Sequence, residues 1–287
     1  MIDRRKSVKP VKRKRGCIVA IMIFATMVIL VLCAFDARLK VKNYAVESPK
    51  ITESIKLALV TDLHSCLYGD EQRELIKAIE DKNPDTVLLA GDIFDDWMPD
   101  DNTKTFIGGI SGKYTTYYVS GNHEWWSGRM GEMFEYLNDN NVKSLRGECD
   151  VLNINGQSIN ICGIDDADAV RYGSTRKGVE EQLNSAFADA PNENFTVLLA
   201  HRPELIELYL KYDVDLILSG HAHGGQFRIP FFLNGLYAPN QGLFPEYAGG
   251  EYDFSGKRFI ISRGLSRENQ RIPRIFNRPE LVFVTIK

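Results

Sequence analysis

Apolar and polar positions divide the chain into three regimes. Residues 17–35 (CIVAIMIFATMVILVLCAF) run for nineteen positions without a charge. As a helix rising about 1.5 Å per residue this run spans roughly 28 Å, close to the ~30 Å hydrocarbon core of a bilayer. From residue 55 onward, short apolar runs alternate with amphipathic stretches. Strands are expected at 55–61, 86–89, 114–119, 195–199 and 214–218, and helices at 72–81, 103–110, 177–188 and 204–211. Asn155-Gly156 reads as the turn of a hairpin joining 151–154 to 158–161. The last third holds short aromatic and apolar pieces at 226–229, 257–262 and 281–286, expected as antiparallel strands. The pattern predicts one mixed α/β domain with two sheets over 55–287, preceded by one transmembrane helix at 16–35 and a tether at 36–54. Strands alternating with helices put functional groups in loops beyond the strands' carboxyl ends.

Charge adds an orientation. Residues 1–15 carry eight Lys/Arg against Asp3, a balance of +7, which leaves the rest of the chain at −10 given the overall −3. The positive-inside rule holds residues 1–15 as a basic cytoplasmic tail and places the folded domain on the extracytoplasmic side. No small-x-small cleavage site follows the apolar run, and Leu32 before Cys33 does not suit a lipobox, so an uncleaved signal anchor in the cell membrane is expected. The acidic folded part argues against a nucleic-acid partner. The 44% apolar content of the whole chain excludes disorder for most of its length. Outside the apolar run stand Cys66, Cys149 and Cys162, an odd number without a CxxC pair, so neither a disulfide framework nor a structural zinc site is expected.

The chemistry lies in the histidines. All five, at positions 64, 123, 201, 221 and 223, follow expected strands beside Asp, Asn, Gly or another His. The pieces are Asp62-x-His64, Gly91-Asp92-x-x-Asp95, Gly121-Asn122-His123-Glu124, Ala200-His201-Arg202-Pro203 and Gly220-His221-x-His223. Asp62 to Asp92 and Asp92 to Asn122 are both separations of thirty, one strand-loop-helix-loop unit each, which brings the three to one sheet edge. In Asp62-x-His64 and His221-x-His223 the i, i+2 spacing puts both side chains on one side of an extended backbone. Imidazole nitrogen with carboxylate oxygen suits first-row dications such as Mn, Fe and Zn.

In that order the motifs resemble the calcineurin-like metallophosphoesterase superfamily over residues 56–287. With GHAHGGQ at 220–226, SRGL at 262–265 and RPE at 278–280, the chain is most similar to its YkuE-type branch. The resemblance implies the two-sheet α/β/β/α sandwich of metallophosphoesterases and two divalent metal ions (Mn, Fe, Zn or Co) as cofactors. One ion would be held by Asp62, His64 and His223, the other by Asn122, His201 and His221, with Asp92 bridging them. His123 would protonate the leaving oxygen of a phosphoester substrate, with Asp95 orienting it. The implied activity is hydrolysis of phosphodiesters or phosphomonoesters by metal-activated water. The alternatives are a pyrophosphatase or phosphatase acting on a lipid-linked or nucleotide-sugar lipid substrate, and a non-catalytic binding scaffold.

Weaker signals surround these. Trp125 and Trp126 are read as packing or as an apolar wall for substrate, and Gly163–Asp166 as a polar loop or the mouth of the cleft. Arg202, Arg228, Arg263 and Arg274 are candidate phosphate clamps. The aromatic stretch 227–244 is expected chiefly to fill the core, with a surface near the bilayer or a cap over the site as the alternatives.

Overall fold

The computed structural model of the chain describes residues 11–173, 177–267 and 272–287. Most of the basic tail expected at 1–15 lies outside the described residues. The chain opens with helix α1 (Val11–Ala34), followed by β1 (Lys40–Val46), β2 (Ile55–Val60), α2 (Arg73–Glu80), β3 (Thr86–Ala90), α3 (Asp101–Ile110) and β4 (Thr115–Val119). Next come α4 (Asn122–Trp126), α5 (Met130–Asp139), β5 (Val142–Ser144), β6 (Glu148–Ile154), β7 (Gln157–Gly163), α6 (Ala169–Tyr172), α7 (Val179–Ala188), β8 (Phe195–Leu199), α8 (Ile206–Tyr209) and β9 (Leu216–Ser219). The chain closes with β10 (Tyr237–Ala238), β11 (Gly242–Leu243), β12 (Gly250–Phe254), β13 (Lys257–Ile261) and β14 (Glu280–Ile286).

Two six-stranded sheets form, ordered β1-β14-β2-β3-β4-β5 and β12-β13-β9-β8-β7-β6. Strand β3 shows why they stack. All five of its residues are buried, and its alternate side chains enter different cores. Val87 and Leu89 face the layer of α2, α3 and α5, while Leu88 and Ala90 meet Val197, Leu199, Leu216 and Leu218 of the second sheet. A third core packs α7 and α8 on the far side of that sheet through Leu183, Ile206, Leu198 and Ile217. The result is the expected α/β/β/α sandwich.

Three expectations change. The stretch 36–54 is not all tether: β1 lies within it, parallel to β14 with Lys40 opposite Glu280. Two lysines and an asparagine among its seven residues suit an edge strand and mask the apolar alternation that would betray it. Residues 226–229 make only isolated bridges, Phe227 with Ile275 and Ile229 with Leu233, and no strand. Finally, Cys149 and Cys162 form a disulfide, contrary to the thiols expected. They sit directly opposite each other on the β6–β7 hairpin, whose register follows from the Asn155-Gly156 turn pairing Ile154 with Gln157.

Candidate metal centre

Parallel strands β2, β3 and β4 lie side by side and end together. The residues that follow them, Asp62, Asp92 and Asn122, therefore meet at one sheet edge, as the thirty-residue spacing implies. Strands β8 and β9 deliver His201, His221 and His223 from the second sheet. Asp62, His64, Asp92 and His223 form one buried group whose candidate ligand atoms lie within 4.8 Å of one another, and Asp92, His201 and His221 form another. Asp92 belongs to both.

The backbone pays a conformational cost for this convergence. Asp62, His64, Asp92, His221 and His223 all have φ between 48° and 65°, the left-handed region that non-glycine residues seldom enter. Gly264 of the SRGL segment packs against them at φ 72°. A Cβ there would come within 2.6 Å of the Asp62 Cβ, so only glycine lets this turn close on the site.

Each imidazole is fixed by one nitrogen and aimed by the other. His64 Nδ1 is 2.8 Å from Asp95 Oδ2, and its Nε2 is 3.5 Å from Asp92 Oδ2. His201 Nδ1 donates to the Ala90 carbonyl at 2.9 Å, which leaves Nε2 3.1 Å from Asp92 Oδ2. His221 Nε2 lies 2.9 Å from Asn240 Oδ1, and His223 Nδ1 3.1 Å from Ser266 Oγ. Outer partners of this kind are what orient metal-binding histidines.

The electrostatics leave a place for positive charge. Burial raises the Asp62 carboxyl above the ordinary carboxylate range. Burial opposes protonation of His201, but the Asp92 charge outweighs it and lifts the imidazole to about 10. Burial, helped by His201 and Arg202, pushes neighbouring His221 down to about 3. The Asp92 carboxylate thus favours positive charge where His201 and His221 converge on it. Among the described residues, Asp62 Oδ2 and Asn122 Oδ1 are buried atoms without a hydrogen-bond partner, and Asp92 Oδ2 has only imidazole nitrogens beside it. Carboxylate, amide oxygen and imidazole nitrogen pointing at common points are a donor set that fits divalent cations.

Beside this cluster is His123, partly exposed in an open cleft of about 620 Å³ shared with Trp97, Trp126, Asn240 and Ile272. Its Nδ1 is 2.6 Å from Asp96 Oδ1 and 3.5 Å from Asp95 Oδ2. Burial disfavours its charged form, yet Asp92, Asp95 and Asp96 raise it to about 10. Asp96, which sequence reasoning missed, is thus the nearer partner of His123, while Asp95 sits closer to His64. Nothing in Asp95-Asp96 distinguishes the two neighbours; only the turn after β3 does. Glu124 also does more than its motif suggests, since its carboxylate accepts the backbone N–H groups of Asp92, Ile93, Phe94 and Gly121 at 2.7–3.2 Å.

The weaker signals resolve. Trp125 is buried, whereas Trp126 is half exposed with its ring centroid 4.8 Å from that of His123. Arg202 is committed to a two-pronged pair with Asp166 at 2.7 and 2.8 Å, which makes the 163–166 loop structural. Arg274 is buried against Ser266, and Arg228 and Arg263 line a different cavity, so none of the four arginines faces the cleft.

The family pattern for calcineurin-like phosphoesterases matches residues 55–225, more than half of the chain and the whole run of candidate ligands up to His223. The chain belongs to the calcineurin-like phosphoesterase family. That family is one of phosphoesterases that use divalent metals. An uncharacterized metallophosphoesterase of Helicobacter pylori is 31% identical over 216 residues, 70% of this chain and 55% of the relative. YkuE of Bacillus subtilis, another uncharacterized metallophosphoesterase, is 24% identical over 82% of this chain and 80% of its own length. A transmembrane protein with a metallophosphoesterase domain from Danio rerio is 27% identical over 78% of this chain and 55% of that protein. The chain thus spans just over half the length of the Helicobacter and Danio relatives. Among solved structures, the NAD nucleotidase of Haemophilus influenzae superposes with a TM-score of 0.51 at 15% identity, covering 75% of this chain and 46% of that one. That likeness is one of fold.

Proposed function

We propose that this phosphoesterase holds two divalent cations, one on Asp62, His64 and His223 and the other on Asn122, His201 and His221, with Asp92 shared between them. The observation that carries the reading is the Asp92 carboxylate, which belongs to both buried ligand groups. Two such cations, when bound, supply Lewis acidity toward a phosphoryl oxygen and make hydroxide accessible near neutral pH. The chain contributes the rest. His123 reaches into the cleft beside the cluster and gives its proton to the leaving oxygen. Asp96 holds the His123 ring by Nδ1 and keeps Nε2 turned to substrate, while Asp95 fixes His64. The exposed edges of Trp97 and Trp126 offer an apolar wall to the organic part of the ester.

The same reading makes α1 a membrane anchor, with residues 1–15 in the cytoplasm and the domain on the outer side. Support comes from the exposed apolar span Gly16–Ala34, from the likeness to the transmembrane protein of Danio rerio, and from the Cys149–Cys162 disulfide, a bond that persists in oxidising compartments. Anchoring favours, as a second reading, a lipid-linked phosphoester or pyrophosphate taken from the bilayer surface.

The test is elemental analysis of the purified chain, followed by assays with Mn, Fe/Zn and Co on aryl monoesters and diesters, nucleotides and lipid phosphates. Asp92→Asn is expected to lose bound metal and hydrolysis together. A folded Asp92→Asn protein with normal turnover would overturn the two-cation reading. Protease accessibility in intact and opened cells checks the orientation.

A further inference from the structure

Helix α1 ends against the domain, where the Ala34 carbonyl accepts the Phe276 N–H at 2.7 Å. Phe276 also lines a second cavity of about 640 Å³ that contains none of the candidate metal ligands. Among the described residues its wall holds three cations, Lys40, Arg228 and Arg263, and no carboxylate. Buried Glu280 lies behind it, 3.6 Å from Arg263 Nε, and offsets only one of the three charges. Burial and repulsion from Arg263 lower the Arg228 guanidinium to about 10 and shift Lys40 in the same direction. A group of like charges is held together here in excess of its counter-charge.

The rim of the cavity is apolar. Phe231 and Phe232, which line it, are 103% and 88% exposed, with Ile229 and Leu233 beside them in the lining. The aromatic stretch expected to fill the core is turned outward. Soluble surfaces seldom display such a patch without a partner.

We propose that this face rests on the bilayer from which α1 emerges, with Phe231 and Phe232 inserted at the headgroup boundary and Lys40, Arg228 and Arg263 holding the phosphate of an anionic phospholipid. The inference rests on the anchoring read above. Lys40 lies six residues beyond the end of α1, so at about 3.5 Å per residue the cavity wall stays within roughly 20 Å of the point where the helix ends. A bilayer is thus within reach of the patch at all times, which favours it over a diffusing protein. Aromatic insertion beside a basic pocket combines the two forces that hold proteins to anionic membrane surfaces.

The experiment uses the full chain reconstituted in vesicles whose phosphatidylcholine carries brominated acyl chains, with or without phosphatidylglycerol. A Phe232→Trp variant reports insertion, the unsubstituted chain supplying the background of Trp97, Trp125 and Trp126. Flotation after an alkaline wash reports the anchor separately. The fluorescence added by Phe232→Trp is expected to be quenched severalfold, more so with phosphatidylglycerol. Lys40→Gln in the same background is expected to weaken that preference for anionic lipid roughly fivefold. Added fluorescence that stays unquenched in Phe232→Trp chains that still float would overturn the proposal and leave the patch to a protein. Displacement by inorganic phosphate alone would overturn the lipid assignment. Failure to float would overturn the anchor, and this surface with it.

Discussion

His123 Nδ1 lies 2.6 Å from Asp96 Oδ1, while the adjacent Asp95 places Oδ2 2.8 Å from His64 Nδ1. Asp96 is thus the nearer partner of His123, from which Asp95 Oδ2 lies 3.5 Å away, and in the proposed reading His123 faces substrate while His64, held by Asp95, would hold a cation. Substitutions of the two carboxylates should separate. Asp96→Asn is expected to lower kcat about 10- to 100-fold through misorientation of His123, with KM and metal content little changed. Asp95→Asn should instead weaken metal retention by about 10- to 100-fold, as loss of a carboxylate behind a ligating histidine does. Paired kinetics and elemental analysis on both variants check this; identical phenotypes would refute the division of labour.

Metal removal should be visible in stability as well as in turnover. His201 Nε2 and His221 Nδ1 lie 3.2 Å apart, each with its other nitrogen engaged elsewhere. In the proposed reading their lone pairs would become ligands to a cation. A cation that binds only the folded chain at about a hundred times its Kd adds about 2.7 kcal/mol. The melting temperature of the chelated protein is therefore expected to rise on titration with Mn or Zn, and His201→Ala should flatten that rise. A melting curve indifferent to metal would count against the donor set.

Glu124 yields a prediction of a different kind. Its two oxygens bind four backbone N–H groups from the loops after β3 and β4, so it fixes the distance between Asp92 and Asn122. Glu124→Gln keeps the size but turns an amide N–H₂ toward N–H donors, leaving buried donors unmet at about 1–3 kcal/mol. Chemical denaturation should show that loss, and metal affinity should fall with it. Unchanged stability would mean that the loops hold themselves.

How far these features could be read beforehand varied with their physical origin. Asp62, Asp92 and Asn122 were legible as a group because parallel strands of similar length repeat at thirty residues, and their common edge follows from that spacing alone. Strand β1 was not, because an edge strand with Lys40, Lys42 and Asn43 carries a weak apolar signal, and its pairing with β14 is a contact across the whole domain. The choice between Asp95 and Asp96 depends on backbone conformation in a single turn. Left-handed conformations at five of the candidate ligands are likewise invisible in residue type. The outward turn of Phe231 and Phe232 was concealed because aromatic residues ordinarily mark a core.

The Cys149–Cys162 bond was missed on cysteine parity, although the hairpin turn already implies its register. Closing a loop with a sequence separation of 13 restricts the unfolded chain by about 3 kcal/mol in the chain-entropy account. A Cys149→Ala/Cys162→Ala double variant is expected to lose stability on that order in denaturant titrations while keeping its metal content, since neither cysteine belongs to the candidate ligand groups. Mass analysis without reductant should find Cys149 and Cys162 joined and Cys66 as a thiol.

The neighbouring Asp150 supplies an acid-sensitive tie between the sheets. On β6, it accepts the Tyr117 hydroxyl at 2.6 Å from β4 and Lys143 Nζ at 2.5 Å from β5. Burial alone would raise its pKa, but Lys143 and Tyr117 reverse the effect and hold the carboxyl below its ordinary value. A carboxylate depressed in the folded state stabilises fully above its unfolded pKa, and that contribution disappears as pH falls through the lower folded value. The group is about one third exposed, so screening limits the gain to about 1 kcal/mol. Asp150→Asn should be less stable than the parent near neutral pH, and the difference should shrink as the solution is acidified below the ordinary carboxylate range. Denaturant midpoints at a series of pH values measure this, and a difference that grew toward acid would show that Asp150 is not the charged partner of Lys143.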